Sequence, residues 1–213
     1  MTIRVLLADD HAVLREGLRS LLTASPGISV IADVGNGGDA IRSAAELKPD
    51  VLVMDIAMPD INGIEASHMI REKSPATRVI FLSMHSTSEH VYRAIEAGAA
   101  GYVLKESAAA ELIAAVHAVH AGQRFFSTAV RGVMEEIGRG AGRGGPLGSL
   151  SIRERQVLQL VVEGKSSAEI ARIVHLSPKT VETYRSRLMK KLGVADVPSL
   201  VKFAIQHGLT PPV

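Results

Sequence analysis

Residues 51–63 read VLVMDIAMPDING, an apolar run that ends in one aspartate and is followed at once by a Pro/Asn/Gly turn. A short run of this kind is typical of a strand buried on both faces of a parallel sheet. Open α/β sheets place their chemistry at the carboxyl edge of the strands, which is where Asp55 would lie. We therefore interpret Asp55 as a carboxylate presented at a functional site.

The same strand pattern occurs four more times in the first part of the chain, and a helical pattern follows each strand. Such alternation predicts a doubly wound α/β fold with a five-stranded parallel sheet covered on both faces. The predicted strands are Val5–Ala8, Ile28–Val34, Val51–Asp55, Arg78–Ser83 and Gly101–Lys105. The predicted helices end near Thr23, span Gly38–Leu47, begin at Asn62-Gly63, and span Glu89–Ala97 and Ala108–Ala121.

The rest of the chain divides into a linker and a helical domain. Residues 127–147 are rich in glycine and arginine and predict a flexible linker after a short helix near Ala129–Ile137. From residue 148 the pattern is all helical, with four helices and two Ser-x-x-Glu capping boxes. A brief turn before the basic helix Pro178–Leu192 is typical of a helix-turn-helix, and Ala195–Gln206 is the fourth predicted helix.

Charge separates the predicted domains. Residues 1–126 hold 11 Lys/Arg and 15 Asp/Glu, for a net charge of −4, whereas residues 147–213 hold 10 and 5, for a net charge of +5. The basic back domain suggests a nucleic-acid partner. The chain has no cysteine, no uncharged run near the roughly 20 residues of a membrane span, and acidic residues too early for a signal peptide. We expect a soluble, cytoplasmic protein without a membrane partner.

Polar side chains lie at three strand ends of the predicted sheet. Asp9 and Asp10 follow the first strand, Asp55 ends the third and Ser83 ends the fourth, while Lys105 closes the fifth. Converging carboxylates repel one another and require a cation, and ligation by oxygen atoms alone suits Mg²⁺. With the metal bound, Asp55 could attack a phosphoryl donor, while Lys105 and Ser83 at neighbouring strand ends could contact the added group. The eight histidines form no metal-ligand spacing, so we expect no zinc site.

These residues carry a family resemblance. The acidic pair, the segment around Asp55 with Gly63, Ser83, and Gly101–Lys105 resemble the receiver domain of two-component response regulators, which has a flavodoxin-like fold. The back half is similar to the LuxR-type helix-turn-helix, so the whole chain resembles a response regulator of the NarL/LuxR type. The resemblance covers about residues 3–124 and 148–207.

The resemblance implies a role for each matching residue. Asp55 would accept a phosphoryl group from a sensor histidine kinase, and Lys105 would pair with the phosphate. Ser83 would follow the phosphate, and Tyr102 would swing inward as an aromatic switch. The implied Mg²⁺ ligands are Asp9, Asp10, Asp55 and the backbone carbonyl of Ala57. The protein would form a homodimer when phosphorylated or bound to DNA.

A helical wheel of residues 178–192 separates two faces. Val181, Tyr184, Leu188 and Leu192 share the predicted packing face, while Glu182, Thr183, Ser186, Arg187 and Lys190 fall on the other. By analogy with the family, Glu182, Thr183 and Ser186 would read base edges. Lys179, Thr180, Tyr184 and Arg185 would lie near phosphates. The family often has lysine at position 182 and histidine at position 184, whereas this chain has Glu182 and Tyr184. Because of these differences, the target DNA sequence cannot be inferred from this helix.

Two other readings remain open from the sequence. A Mg²⁺-dependent phosphatase would also use Asp55 as a nucleophile, but such enzymes usually need a second acid at the position of Ala57. A binding protein that ignores phosphate would use the front domain only for dimerisation. A Rossmann dehydrogenase is disfavoured, because Asp9-Asp10-His11 follows the first strand in place of a GxGxxG segment.

Overall fold

The computed structural model describes residues 2–138 and 149–207. The chain forms two compact units, Met1–Gly142 and Arg143–Val213. In the described residues, no helix is both long and apolar enough to cross a membrane.

The first unit is built on a six-stranded parallel sheet with strand order β2-β1-β3-β4-β5-β6. The predicted doubly wound α/β fold is confirmed, but the prediction of five strands was one too few. The sixth strand is only two residues long, too short to produce a recognisable alternation, and it pairs with Gly101 and Tyr102. The strands are β1 Ile3–Ala8, β2 Ile28–Val34, β3 Val51–Asp55, β4 Arg78–Ser83, β5 Gly101–Leu104 and β6 Phe125–Phe126.

Six helices accompany this sheet. They are α1 Ala12–Thr23, α2 Gly37–Leu47, α3 Gly63–Lys73, α4 Ser88–Glu96, α5 Ala108–His120 and α6 Arg131–Gly138. The central strand β3 is buried along its whole length. Leu52 and Met54 belong to one hydrophobic cluster, whereas Val51 and Val53 belong to the other. Successive side chains of a strand point to opposite faces, so the two clusters are the two covered faces of one sheet.

The turn after β3 holds Asp55 against the start of α3. The Asn62 side chain accepts a hydrogen bond from the Glu65 N–H at 3.0 Å and caps the helix. The Gly63 N–H donates to the Ile56 carbonyl at 2.9 Å. A Cβ atom at position 63 would overlap the Asp55 carbonyl oxygen. Glycine therefore allows the helix to begin directly behind the residue that carries the carboxylate.

The structure corrects the start of the predicted linker. Ser127 and Val130 are fully buried, and α6 packs against α4. Val133 and Met134 pack against the same hydrophobic cluster as Val130. Residues 127–138 thus extend the first unit, because their apolar side chains complete its core, while the remaining linker residues 139–147 lie outside the described residues.

The second unit contains four helices around one hydrophobic cluster. They are α7 Ile152–Val162, α8 Ser167–Ile173, α9 Pro178–Leu192 and α10 Val197–Gln206. Both predicted capping boxes form, at Ser151 with Glu154 and at Ser166 with Glu169. The start of α10 lies two residues after the predicted one, because the Asp196 side chain accepts the Ser199 N–H at 2.8 Å and acts as the cap.

Candidate functional site

Three charged side chains meet at the carboxyl edge of the sheet. The Lys105 ammonium group lies 2.8 Å from Asp55 Oδ2 and 2.9 Å from Asp9 Oδ2. Asp55 is 2% exposed and Asp9 is 1% exposed. The strand order brings these side chains together. Asp9 follows β1, Asp55 ends β3 and Lys105 follows β5, and all of these strands are parallel and end at the same edge of the sheet. The structure therefore brings together the predicted Asp9, Asp55 and Lys105.

Burial and the nearest opposite charge act in opposite directions on the pKa of Asp55 and on that of Lys105. Burial raises the pKa of Asp55, the Lys105 charge opposes that rise, and the nearby Asp9 carboxylate adds to it. Burial alone would lower the pKa of Lys105, but the Asp55 and Asp9 carboxylates together outweigh burial, and the pKa is raised. Lys105 therefore stays protonated and holds together two buried carboxylates that would otherwise repel each other.

Four side chains of this edge form a group that could hold a metal ion. Ligand atoms of Asp9, Asp10, His11 and Asp55 all lie within 4.8 Å of one another. Asp9 Oδ2 and Asp10 Oδ1 are buried, with Lys105 Nζ at 2.9 Å and His11 Nδ1 at 2.8 Å as their respective neighbours, and neither contact has hydrogen-bond geometry in the described residues. Buried carboxylate oxygens of this kind are good ligands for a hard cation. The donor set thus fits a divalent metal ion.

The other predicted residues of the first site lie beside this cluster. The Ala57 N–H donates to Asp55 Oδ1 at 3.2 Å. The His85 N–H donates to Ser83 Oγ at 3.0 Å, and the Tyr102 hydroxyl donates to the His85 carbonyl at 2.6 Å. Tyr102 is fully buried, and burial raises its pKa while Ser83 opposes the rise. Tyr102 therefore points inward in this structure.

Helix α9 separates its residues as the helical wheel predicts. Val181 and Leu188 are buried, and Tyr184 and Leu192 pack against the same cluster. The opposite face is open to solvent over the exposed residues Lys179, Glu182, Thr183, Ser186, Arg187 and Lys190. Thr180, Tyr184 and Arg185 are half-buried. An exposed helix face of net positive charge, following a short turn, has the shape that a DNA groove accepts.

The structure also shows how Arg185 and the start of α9 are held in position. Arg185 Nη1 donates to Ser167 Oγ at 3.0 Å, so part of its guanidinium group is engaged by α8. His175 adopts φ 53° in the turn before α9, and the Ser177 side chain caps the helix by accepting the Thr180 N–H at 3.1 Å. The turn and the cap fix where α9 begins and which residues its exposed face presents.

Sequence reasoning missed two residues of the first site. The Arg15 guanidinium donates to the Asp9 carbonyl at 2.5 Å and to Asp33 Oδ2 at 3.1 Å, so it fixes the main chain that carries the acidic pair. His11 Nδ1 lies 2.8 Å from Asp10 Oδ1, inside the group of potential metal ligands. His11 could have been assigned to the site because it follows Asp10 directly in the sequence. No feature of the sequence indicated the role of Arg15, because it depends on contacts formed only in the folded chain.

Comparison with known families accounts for both units. Residues 5–117 match the family described as response regulator receiver domain. Residues 148–204 match the family described as bacterial regulatory proteins, luxR family. The chain belongs to the response regulators, with a receiver domain followed by a LuxR-type DNA-binding domain.

Individual relatives extend along nearly the whole chain. The transcriptional regulatory protein MctR of Rhizobium johnstonii is 35% identical over 209 residues, which are 97% of this chain and 95% of MctR. The response regulator protein VraR of Staphylococcus aureus is 37% identical over 209 residues, covering 98% of this chain and 99% of VraR.

A solved structure of a similar protein has DNA bound. RcsB from Salmonella enterica serovar Typhimurium, bound to promoter rprA in the presence of the phosphomimetic BeF3⁻, is 26% identical, with a TM-score of 0.69. The match covers 95% of this chain and 98% of that one. The family and these relatives establish this chain as a DNA-binding regulator of transcription of the kind that phosphorylation controls.

Proposed function

We propose that Asp55 is the phosphoacceptor, that a sensor histidine kinase is the donor, and that phosphorylation promotes dimerisation and DNA binding through α9. One observation carries the proposal. Asp55 is a buried carboxylate at the carboxyl edge of the sheet, with Lys105 at 2.8 Å and two further carboxylates beside it. The Lys105 charge favours the ionised form of Asp55, which is the form that can attack phosphorus.

We also propose Mg²⁺ as the cofactor of this reaction. The side chains of Asp9, Asp10 and Asp55 and the carbonyl of Ala57 would hold the ion, and the two buried oxygens of the acidic pair support this assignment. When bound, Mg²⁺ would neutralise charge on the phosphoryl oxygens. Arg15 would keep Asp9 in place through its main-chain carbonyl. Slow hydrolysis of its own aspartyl phosphate is the only turnover that we expect.

The hydrogen bonds beside Asp55 provide a route from the phosphate to the rest of the unit. Ser83 Oγ is held by the His85 N–H, and the His85 carbonyl accepts from Tyr102. A phosphoryl oxygen would accept a hydrogen bond from the Ser83 hydroxyl, and a movement of Ser83 towards it would pull on this loop. Because Tyr102 lies inward, we propose that phosphorylation stabilises this arrangement and that the alternative state has Tyr102 outside.

The second unit would bind the major groove of DNA with α9. Glu182, Thr183 and Ser186 lie on the exposed face, where base edges would be read. The exposed cations Lys179, Arg187 and Lys190 would contact phosphates, with Thr180, Tyr184 and Arg185 nearby. Two such helices on one dimer would add their modest half-site affinities. Partners of this kind place the protein's action in the cytoplasm.

The deciding experiment measures binding of the full chain to a pool of random duplexes, with and without Mg²⁺ plus beryllofluoride, at two salt concentrations. We expect tighter, sequence-selected binding with the phosphoryl mimic and loss of that gain in Asp55→Asn. Lys48→Gln, an exposed charge change in the first unit, is the matched control and keeps the gain. Salt-sensitive binding that ignores the mimic would reject control through Asp55 and favour a phosphate-independent binding protein.

A further inference from the structure

A second concave site lies at the amino edge of the sheet, the opposite edge from Asp55. It is a cavity of about 480 Å³, and Val79 of β4, Ala99 and Ala100 form part of its apolar lining. Arg71 of α3, Arg78 of β4 and Arg124, which precedes β6, also line it. The cavity lies at the far end of the strands from every residue to which we assign phosphoryl chemistry.

The three arginines of this cavity differ from Arg4 and Arg15 of the same unit. Within residues 2–138, the guanidinium groups of Arg71, Arg78 and Arg124 make no hydrogen bond or ion pair, and no acidic residue lines the cavity. By contrast, Arg4 donates to helix carbonyls, and Arg15 pairs with Asp33. All three arginines are exposed, so water screens their mutual repulsion, and an anion in the cavity would offset what remains of it.

Two glycines shape the walls of the cavity. Gly98 follows α4 with φ 89°, and Gly122 follows α5 with φ 86°. A Cβ atom on Gly98 would lie 3.3 Å from Arg71 Nη1, and one on Gly122 would lie 3.6 Å from Arg78 Nη1. A Cβ on Gly98 would thus crowd only the flexible end of Arg71, and one on Gly122 would make ordinary van der Waals contact with Arg78. The positive φ angles are the main reason for glycine at both positions.

A simpler explanation is that these arginines neutralise helix ends. Helices α3, α4 and α5 all end near this edge, and each carboxyl end carries about half a negative charge. Three guanidinium groups carry three positive charges, so the helix ends neutralise only about half of them. None of the three donates to a helix carbonyl in the described residues, whereas Arg4 donates to those of Leu47 and Lys48. The cavity keeps a positive excess.

We propose that this cavity binds a small organic phosphate, with its phosphate groups on the three arginines and its organic body against the apolar lining. Guanidinium forks match phosphate oxygens in pairs, which a hydrated ammonium group cannot do. The volume lies in the range of sites for metabolite-sized ligands. Such a ligand would give the receiver domain a second chemical input, separate from the phosphoryl group on Asp55.

The test titrates the full chain with ADP, with inorganic pyrophosphate and with citrate, in EDTA and in an Asp55→Asn background that removes the phosphoacceptor. We expect saturable binding of one ADP, weaker binding of pyrophosphate and none of citrate, with shifts of the amide resonances of Gly98 and Gly122. Arg71→Gln and Arg124→Gln should each weaken ADP binding at least about tenfold. Lys73→Gln removes the same charge from α3 outside the cavity, and the affinity should stay within about twofold.

Several results would overturn the proposal. Equal weakening by Lys73→Gln would mean unspecific charge attraction, and shifts confined to residues 178–192 would place the anion on the DNA-binding helix. The arginines could also serve the helix ends alone, in which case Arg71→Gln would lower the thermal midpoint without ligand. We expect that midpoint unchanged or raised, because one repelling charge is removed, and the stabilisation by ADP should disappear.

Discussion

Gly63 shows how much the position of Asp55 depends on one missing side chain. An added Cβ would overlap the Asp55 carbonyl oxygen and lie 3.1 Å from the Asp55 carbonyl carbon and from Ile56 Cα. Main-chain atoms cannot rotate away, so the strand end or the helix start must shift. We predict that Gly63→Ala lowers the free energy of unfolding by about 1–3 kcal/mol, measured by urea denaturation.

Gly17 is the matched control for this substitution. It lies in the middle of α1, and a Cβ there would meet nothing within 4 Å. Gly17→Ala should therefore raise the free energy of unfolding by about 0.4–1 kcal/mol, because alanine loses less chain entropy in a helix. If both substitutions shift stability equally, the close approach at Gly63 is not what requires glycine.

The raised pKa of Asp55 predicts the pH dependence of stability without divalent metal. The folded state holds this proton more tightly than the unfolded chain does, mainly because the carboxyl is buried. Its contribution is fully present below the unfolded pKa and is lost as the pH rises through the folded pKa. We predict that Asp55→Asn raises the thermal midpoint at pH 7 in EDTA and that the difference shrinks as the pH falls.

Thermal unfolding of both proteins from pH 4 to 8 in EDTA checks this prediction. Asp50→Asn is the comparison variant, since Asp50 accepts the Arg4 N–H at 2.8 Å at the other edge of the sheet. Its effect should not follow the same pH profile. An Asp55→Asn protein that is less stable than the wild type at neutral pH would show that the Lys105 ion pair outweighs burial.

Residues at strand ends could be predicted because the parallel topology sends every such end to one edge. Asp9, Asp55 and Lys105 were assigned in this way, and the structure brings them together. Arg15 could not be assigned, because its role depends on reaching Asp33 on the neighbouring strand β2. Contacts between elements depend on register and rotamer, which the sequence pattern does not determine.

Element boundaries were predicted best where a local cap defines them. Helix α9 spans the predicted residues because Ser177-Pro178 begins it and Gly193, with φ 66°, ends it. The strand β6 was not predicted as a strand, and the short helix near Ala129–Ile137 was assigned to the linker, whereas α6 belongs to the first unit. Their placement depends on burial of Val130 and on a polar network around Ser127, both of which are tertiary.

The Ser127 network ties this extension to the functional edge of the sheet. The Leu104 N–H, next to Lys105, donates to Ser127 Oγ at 3.1 Å, and the Ser127 hydroxyl donates to Glu111. The Glu111 carboxylate also accepts the Thr128 N–H at 3.2 Å. We predict that Ser127→Ala lowers the free energy of unfolding by about 1–3 kcal/mol, because a buried N–H loses its partner.

The pH profile separates this network from simple loss of packing. Hydrogen bonds, first of all from Ser127, lower the pKa of Glu111. Its stabilisation is present above the unfolded pKa and is lost as the pH falls through the folded pKa. Acid unfolding monitored by circular dichroism should therefore be less steep in Ser127→Ala. The control Ser20→Ala, on the exposed surface of α1, should change neither stability by more than about 0.5 kcal/mol nor the profile.

At the scale of the whole molecule, the chain carries separate cores and opposite charges. Among the described residues, two hydrophobic clusters lie in the first unit and a third lies in the second. The acidic front and basic back divide at the same region of the sequence. The sequence could predict this division because composition changes at residues 139–147, whereas the exact start of the linker needed the packing of α6.

Separate cores predict that the two units fold independently. We predict that fragments 1–138 and 149–213 each unfold cooperatively, with midpoints within a few degrees of the matching transitions of the full chain in calorimetry; domains of about 60 residues can bury enough surface to fold alone.

Fragment 149–213 should bind DNA with a salt slope equal to that of the unphosphorylated full chain, and Mg²⁺ plus beryllofluoride should leave its affinity unchanged. The affinity of the full chain for DNA should respond to the mimic, because the full chain contains Asp55 and fragment 149–213 does not. A fragment that binds DNA much more tightly than the unphosphorylated chain would mean that the receiver domain masks α9. Equal affinity of the fragment and the unphosphorylated chain would mean that phosphorylation acts by pairing two chains on DNA. The binding curve of the full chain with the mimic should then depend more steeply on protein concentration.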